Sequence, residues 1–142
     1  MIPGWHPFVV NFPVALNFTA LLLFIAARLL KARAGMLATV ATWNLILGAV
    51  TAVVALASGL GAVLDLEVSD AAHGAISSHM KWALFTSLAL ILLTLWRSAG
   101  NPPDAKPSGL FLIVLTVAVL ALGFTAYRGV VNVFVFGVGV SG

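Results

Sequence analysis

Four long stretches of the chain lack Lys, Arg, Asp and Glu, and short stretches that carry these residues separate them. The stretches are 8–27, 34–64, 82–96 and 109–127. A helix needs about 20 apolar residues to cross a hydrocarbon core of ~30 Å. The third stretch is the shortest, and Lys81 can complete it by extending its ammonium group towards water. The pattern predicts four transmembrane helices, near residues 8–30, 36–64, 77–97 and 109–130.

The composition agrees with a membrane protein, because 62% of the 142 residues are hydrophobic and only 8% are charged. Soluble domains carry about 25% charged residues, and disordered chains are poor in apolar residues, so both classes are excluded. Short connections make neighbouring helices antiparallel. The predicted fold class is therefore all-α, an integral membrane antiparallel four-helix bundle in which residues 1–142 form a single transmembrane domain.

The charged residues predict how the bundle is oriented. Five of the seven basic residues lie in the first and third connections, and basic residues near span ends stay in the cytoplasm. We therefore expect both termini to lie outside, together with the second connection, which carries three acidic residues. The basic five are Arg28, Lys31, Arg33, Arg97 and Lys106, and the acidic three are Asp65, Glu67 and Asp70.

The last twelve residues, 131–142, form an uncharged tail rich in valine and phenylalanine. Apolar surface of this density does not stay free in water. We expect the tail to be ordered, either by extending the fourth helix until Gly137 and Gly139 or by packing over the outer end of the bundle or against a partner.

Polar and small residues inside the spans predict how the helices pack. Asn17 and Asn44 are expected at similar depths on neighbouring helices, where an interhelical hydrogen bond contributes ~0.6 kcal/mol. Pro13 deprives the Val9 carbonyl of its helical partner, which predicts a kink that tilts His6 over the bundle. Small residues spaced four apart permit close packing of the second helix within the bundle or in self-association; the pairs are Gly48/Ala52, Ala55/Gly59 and Ala57/Gly61.

The three histidines are all predicted on the outer side. His6 precedes the first span, His73 lies in the acidic connection and His79 opens the third helix. Imidazole and carboxylate groups ligate transition metals, and paired imidazoles hold b-type haem. The candidate haem ligands are His6 and His79, with ring nitrogens ~4 Å apart across an iron, and the candidate metal ligands are His6, His73, His79 and Asp65.

The alternative is that these histidines are interfacial side chains that bind nothing. His6-Pro7 is a plausible helix start, and His79 follows Ser77 and Ser78, which can cap a helix. His73 and His79 are six residues apart, about 240° around a helix, so they cannot share a helix face. The absence of cysteine excludes disulfides, thiolate ligands and iron–sulfur clusters.

Several short motifs carry a resemblance to a known family. They are segment 6–16 (HPFVVNFPVAL), segment 59–65 (GLGAVLD), His79 with Arg97, and segment 137–140 (GVGV). Together they resemble a family of small bacterial membrane proteins catalogued as domain of unknown function 2231. The family opens with HP, an apolar run and HFP, has a glycine-rich second helix that ends in Asp, and places a His before the third helix and an Arg at its end.

The chain departs from the family pattern at three positions. Asn11 replaces the second family histidine, Val131 replaces a glutamate, and Phe134 replaces a different aromatic residue. The family residues that carry over are His6, Asp65 and His79. If His6 and His79 ligate haem, Asn11 is expected to line the site. The resemblance implies this architecture in a bacterial membrane protein and an outward polar cluster, and it implies no reaction; the charge pattern adds the expectation of an inner-membrane location with periplasmic termini.

Three functions remain open at this point. The first is haem or metal binding in electron transfer, and the second is a non-catalytic subunit of a larger membrane complex. The third is a small transporter or channel, which is disfavoured because no charged residue lies deep in a span. No nucleophile elbow or phosphate loop is present, so we do not expect an enzyme. The expected partners are the lipid bilayer and other subunits or copies of the chain, and not nucleic acid.

Overall fold

The computed structural model describes residues 5–64 and 70–138, with side chains for all of these except 64, 70 and 71. Regular structure in these residues is helical: α1 (Trp5–Val9), α2 (Asn11–Leu29), α3 (Ala34–Leu64), α4 (Asp70–Ser98) and α5 (Gly109–Phe134), with a 3₁₀ turn at Lys31–Arg33. Four segments are long and apolar enough to cross a membrane: Trp5–Leu29, Lys31–Val63, Ala72–Ser98 and Gly109–Phe134. The prediction of an all-helical four-span membrane protein is confirmed.

The long helices form a closed ring, because α2 packs on α3, α3 on α4, α4 on α5, and α5 returns to α2. Successive helices run in opposite directions, so α2 and α4 run the same way and lie diagonally across the bundle. We call the end that carries His6 and His79 the histidine end. The opposite end, which carries Arg28, Arg97 and the connection 99–108, is the arginine end.

One large side chain from each long helix fills the core, and alanines surround these four. Phe24, Leu45, Leu90 and Leu115 are all fully buried. The small residues of α3 confirm the packing prediction in part: Gly48, Ala52 and Ala55 are buried, whereas Ala57 is exposed. The pair Ala57/Gly61 therefore contributes no buried contact surface at position 57.

The first span contains the predicted kink, since the helix is interrupted at Val10 between α1 and α2. Pro13 has no N–H to offer the Val9 carbonyl. The side-chain amide of Asn11 donates to the backbone oxygens of Pro7 at 2.9 Å and Phe8 at 3.3 Å, which holds the end of α1. The break lets α1 pack on α3 as well as on α2.

Two helices are longer than the sequence pattern indicates. The third span begins at Asp70 rather than at 77, because Ala72, Ala75 and Ile76 recur at helical spacing and are buried. His73 therefore lies on α4 and not in the preceding connection, which corrects its predicted location. The fourth span continues to Phe134 rather than 130.

The tail continues as helix and then turns. Gly137 adopts a positive φ of 64°, and the N–H of Val138 bonds to the carbonyl of Asn132 at 3.0 Å. Phe134 is 83% exposed, so this part of the tail presents apolar surface rather than covering the bundle. Gly139 and the rest of the tail lie outside the described residues.

The predicted hydrogen bond between Asn17 and Asn44 is wrong. The Asn17 amide donates to the Pro13 carbonyl at 2.7 Å, and the Asn44 amide donates to the Val40 carbonyl at 2.9 Å. Each amide reaches a carbonyl four residues earlier on its own helix. Gly48 is the α3 residue that faces Asn17, and a Cβ built on it would lie 2.7 Å from the Asn17 Cγ atom.

Candidate functional site

His6 is fixed by α3, although it belongs to α1. Its Nδ1 atom lies 2.9 Å from the Ser58 hydroxyl, and that hydroxyl lies 2.8 Å from the Ala55 carbonyl. The Ser58 hydroxyl has one hydrogen and two acceptor lone pairs, and when it donates to the Ala55 carbonyl the His6 Nδ1–H donates to Ser58. The neutral ring then keeps its lone pair on Nε2.

His79 is fixed in the same way by α5. Its Nδ1 atom lies 3.1 Å from the backbone oxygen of Thr125. Because this oxygen has no hydrogen to give, Nδ1 carries the proton and the neutral ring again keeps its lone pair on Nε2. Histidines that ligate metals almost always donate their other ring N–H to a carbonyl, carboxylate or water. Both rings therefore have Nδ1 in a hydrogen bond, which leaves Nε2 as the nitrogen available to a ligand.

Each imidazole also lies against a glycine of the helix that holds it. A Cβ built on Gly59 would lie 2.9 Å from Cε1 of His6, and one built on Gly129 would lie 3.2 Å from Cε1 of His79. Any side chain at either glycine would push against the ring. The arrangement of histidine, hydrogen-bonding partner and glycine thus occurs twice, once on each helix pair.

The two rings lie against different helices at one end of the bundle. His6 of α1 contacts α3, and His79 of α4 contacts α5. Both imidazoles are half-buried. The structure therefore places both histidines that the sequence singled out as candidate haem ligands at the same end of the bundle.

The other predicted ligands do not join them within the described residues. His73 is exposed on α4, about 240° around the helix from His79, and Asp65 lies outside the described residues. Among the residues that the structure describes, no group of three or more His, Asp and Glu side chains could hold a metal ion. The Asn11 amide is exposed and bonds to the end of α1, and its predicted place beside a haem stays a prediction.

Sequence reasoning missed two polar residues of α5 beside this pair. Arg128 is half-buried, and its Nε atom is buried without a hydrogen-bond partner in the described part of the chain. Asn132 is buried, and its Oδ1 atom also lacks a partner there. They lie on the same face of α5 as Thr125 and Gly129, at helical spacings of three and four. In the sequence, the only sign of these two residues was that they follow Thr125 and Gly129 at intervals of three residues.

The arginine end was also missed as a structural site. Arg97 is 5% exposed, and its Nε donates to the Thr42 hydroxyl while its Nη2 donates to the carbonyls of Pro103 and Ala105. Its guanidinium also lies 5.4 Å from the centre of the Phe24 ring. These contacts fix the connection between α4 and α5 against the bundle. The sequence indicated only that a basic residue ends the third helix.

Comparisons with known proteins bear on the whole chain. The family model described as "Predicted membrane protein (DUF2231)" matches residues 3–142. Neither the curated proteins nor the solved structures give a match. The description names a membrane location and no activity.

Proposed function

We propose, on the premise that the chain belongs to the DUF2231 family of predicted membrane proteins, that it is a small b-type cytochrome. His6 and His79 would hold one haem at the histidine end, and the protein would transfer electrons. Four-helix bundles commonly hold cofactors between side chains of facing helices. When bound, the haem would supply one-electron redox chemistry, and the chain would supply the two imidazoles and the surrounding apolar helices.

The observation that carries this proposal is the matched state of the two rings. Each has Nδ1 in a hydrogen bond to a neighbouring helix, with Ser58 at 2.9 Å and with the Thr125 carbonyl at 3.1 Å, so Nε2 of each ring is the nitrogen whose lone pair would bind iron. Two imidazoles, one on α1 and one on α4, supply the number of ligands that six-coordinate haem takes from a protein.

The location of the site follows from the charge pattern. We propose that the histidine end faces the periplasm of a bacterial inner membrane, because the arginine end carries most of the basic residues. A haem there would exchange electrons with a partner in the membrane or on its outer surface. The apolar surface of the bundle then serves for contact with lipid and with other subunits.

The test is an absorption spectrum of the full-length protein, produced with a haem precursor and purified in detergent. We expect a Soret band that sharpens and shifts on reduction. His6→Ala and His79→Ala should each abolish it, and free imidazole should restore it in part because the alanine leaves room for the ligand. His73→Ala is the matched control on α4, and it should keep the full band because His73 is exposed.

Circular dichroism of each variant separates loss of a ligand from loss of the fold, since the helical signal should be unchanged. A wild-type protein without a Soret band under adequate haem supply would refute the proposal. So would a Soret band that survives both His6→Ala and His79→Ala. In either case a non-catalytic subunit of a larger membrane complex becomes the leading function.

A further inference from the structure

We infer that Arg28 and Lys106 bind the phosphate group of an acidic phospholipid at the arginine end of the bundle. The site lies between the last turn of α2 and the connection that precedes α5. It is at the opposite end from His6 and His79, so it does not depend on haem binding.

The first reason is a hydrogen bond that fixes Arg28 beside the α4–α5 connection. Its Nη1 donates to the backbone carbonyl of Pro107 at 2.8 Å, and its Nη2 lies 3.9 Å from a Cβ built on Gly109. The side chain is nevertheless exposed. A guanidinium has five N–H donors, so donors remain for an anion at the surface. A side chain that is already oriented loses less conformational freedom when it binds a ligand.

The second reason is the excess of positive charge around this point. Lys106 is exposed and lies one residue before the carbonyl that Arg28 contacts. Lys31 and Arg33 are exposed in the turn that follows α2. The two connections at this end contain a single acidic residue, Asp104. Neighbouring like charges repel one another, and a bound anion offsets this repulsion.

The third reason is that apolar surface adjoins the two cations, as a lipid requires. Leu29 follows Arg28 on α2, Leu110 lies in the first turn of α5, and both side chains are exposed. Trp96, which directly precedes Arg97 on α4, is also exposed, and tryptophan is enriched at the membrane–water interface. The cations therefore lie at the level of lipid headgroups, with leucines for the acyl chains next to them.

An acidic phospholipid fits this site better than a zwitterionic one. Phosphatidylcholine carries a quaternary ammonium beside its phosphate, and the surrounding cations repel that group. Phosphatidylglycerol carries the phosphate without an attached cation, and a phosphate accepts two parallel hydrogen bonds from an arginine. Basic residues beside membrane-spanning helices bind the headgroups of anionic lipids in this way.

The experiment compares two lipids on the full-length protein in detergent. Native mass spectrometry measures the binding of phosphatidylglycerol and of phosphatidylcholine. Wild type should bind phosphatidylglycerol about tenfold more tightly, equivalent to ~1.4 kcal/mol. R28Q should lose most of this preference and K106Q a smaller part, because Arg28 is the side chain that the Pro107 carbonyl fixes. R28K should keep part of it, since it retains the charge but not the planar fork.

R33Q is the matched control, because Arg33 is an exposed cation at the same end and its loss removes the same charge. It should keep most of the preference. Equal losses in R28Q and R33Q would indicate attraction to the overall charge and overturn the site, as would equal binding of the two lipids by wild type. Displacement of phosphatidylglycerol by inorganic phosphate would assign the site to a free anion and also overturn the inference. If R28Q does not fold, an unchanged preference in both R28K and K106Q refutes it.

Discussion

At the arginine end, a buried guanidinium makes three hydrogen bonds to the chain itself, whereas at the histidine end two buried polar atoms of α5 have no partner in the described chain. Arg97 donates to Thr42 and to the carbonyls of Pro103 and Ala105. At the other end, Arg128 and Asn132 each have a buried atom with no partner in the described chain. Both ends are built from the same four helices, so the difference lies in the polar residues placed on them.

The comparison separates stability from function. Buried polar groups are normally satisfied, and an unsatisfied one requires an explanation such as a ligand or a functional role. At the arginine end Arg97 meets this expectation through bonds to the chain, although the Thr94 hydroxyl oxygen on α4 is buried without a partner in the described residues. The histidine end meets this expectation only in part. Each imidazole has one ring nitrogen in a hydrogen bond, but the Arg128 Nε and the Asn132 Oδ1 on α5 have no partner in the described chain. Substitutions at the two ends should therefore affect different measurements.

The largest effect on stability is expected at Arg97. R97M keeps a long apolar side chain but removes three hydrogen bonds from a charged group, each of which contributes about 1.5–3 kcal/mol without simple additivity. We expect the free energy of unfolding to fall by about 3 kcal/mol or more. Detergent-induced unfolding followed by circular dichroism measures it, and the haem content of the folded fraction should not change.

Arg33→Met is the control for R97M, because Arg33 is an exposed cation near the same end and its loss should change stability by less than about 0.5 kcal/mol. Equal losses for the two variants would contradict the view that the contacts of Arg97, rather than its charge, hold this end together.

A smaller loss of stability is expected from a substitution midway between the two ends of the bundle. Gly48→Ala places a methyl group against the amide of Asn17, where a Cβ would lie 2.7 Å from Cγ, and overpacking of this kind costs about 1–3 kcal/mol. Asn17→Ala in the same chain removes the obstacle, so the double variant should recover part of the loss. Gly123→Ala is the control, since nothing lies within 4 Å of a Cβ there. Additive losses in the double variant would contradict this contact.

The sequence predicted the four spans because hydrophobic length is a local property. It also predicted the kink at Pro13, since a missing N–H acts on a carbonyl four residues earlier. It could not predict the start of the third span, because the acidic residues around Asp70 break the apolar pattern while the helix is set by packing of Ala72 and Ala75. Helix ends depend on such tertiary contacts.

The sequence singled out two histidines of the candidate site and missed the residues around them. His6 and His79 were singled out because imidazoles are rare and chemically distinctive, and their role as ligands stays a prediction. Ser58 and Gly129 have no distinctive chemistry, and their roles appear only when the neighbouring ring is in position. The expected bond between Asn17 and Asn44 was wrong because depth in the membrane does not determine which helix face a side chain occupies.

The smallest expected effect is a change in haem affinity, and it distinguishes the contacts of His6 from those of His79. A Cβ on Gly59 would lie 2.9 Å from His6, and one on Gly129 would lie 3.2 Å from His79. Gly59→Ala must displace the His6 ring, so we expect haem affinity to fall by about tenfold, equivalent to ~1.4 kcal/mol. Gly129→Ala requires a shift of only a few tenths of an ångström, and its effect should be several times smaller.

Gly74→Ala, with nothing within 4 Å of its Cβ, should leave haem affinity unchanged. Soret titration of the three variants measures the order. If Gly129→Ala has the larger effect, ring displacement does not control affinity, and the two histidines do not contribute to the site in the equivalent way that their matched hydrogen bonds indicate.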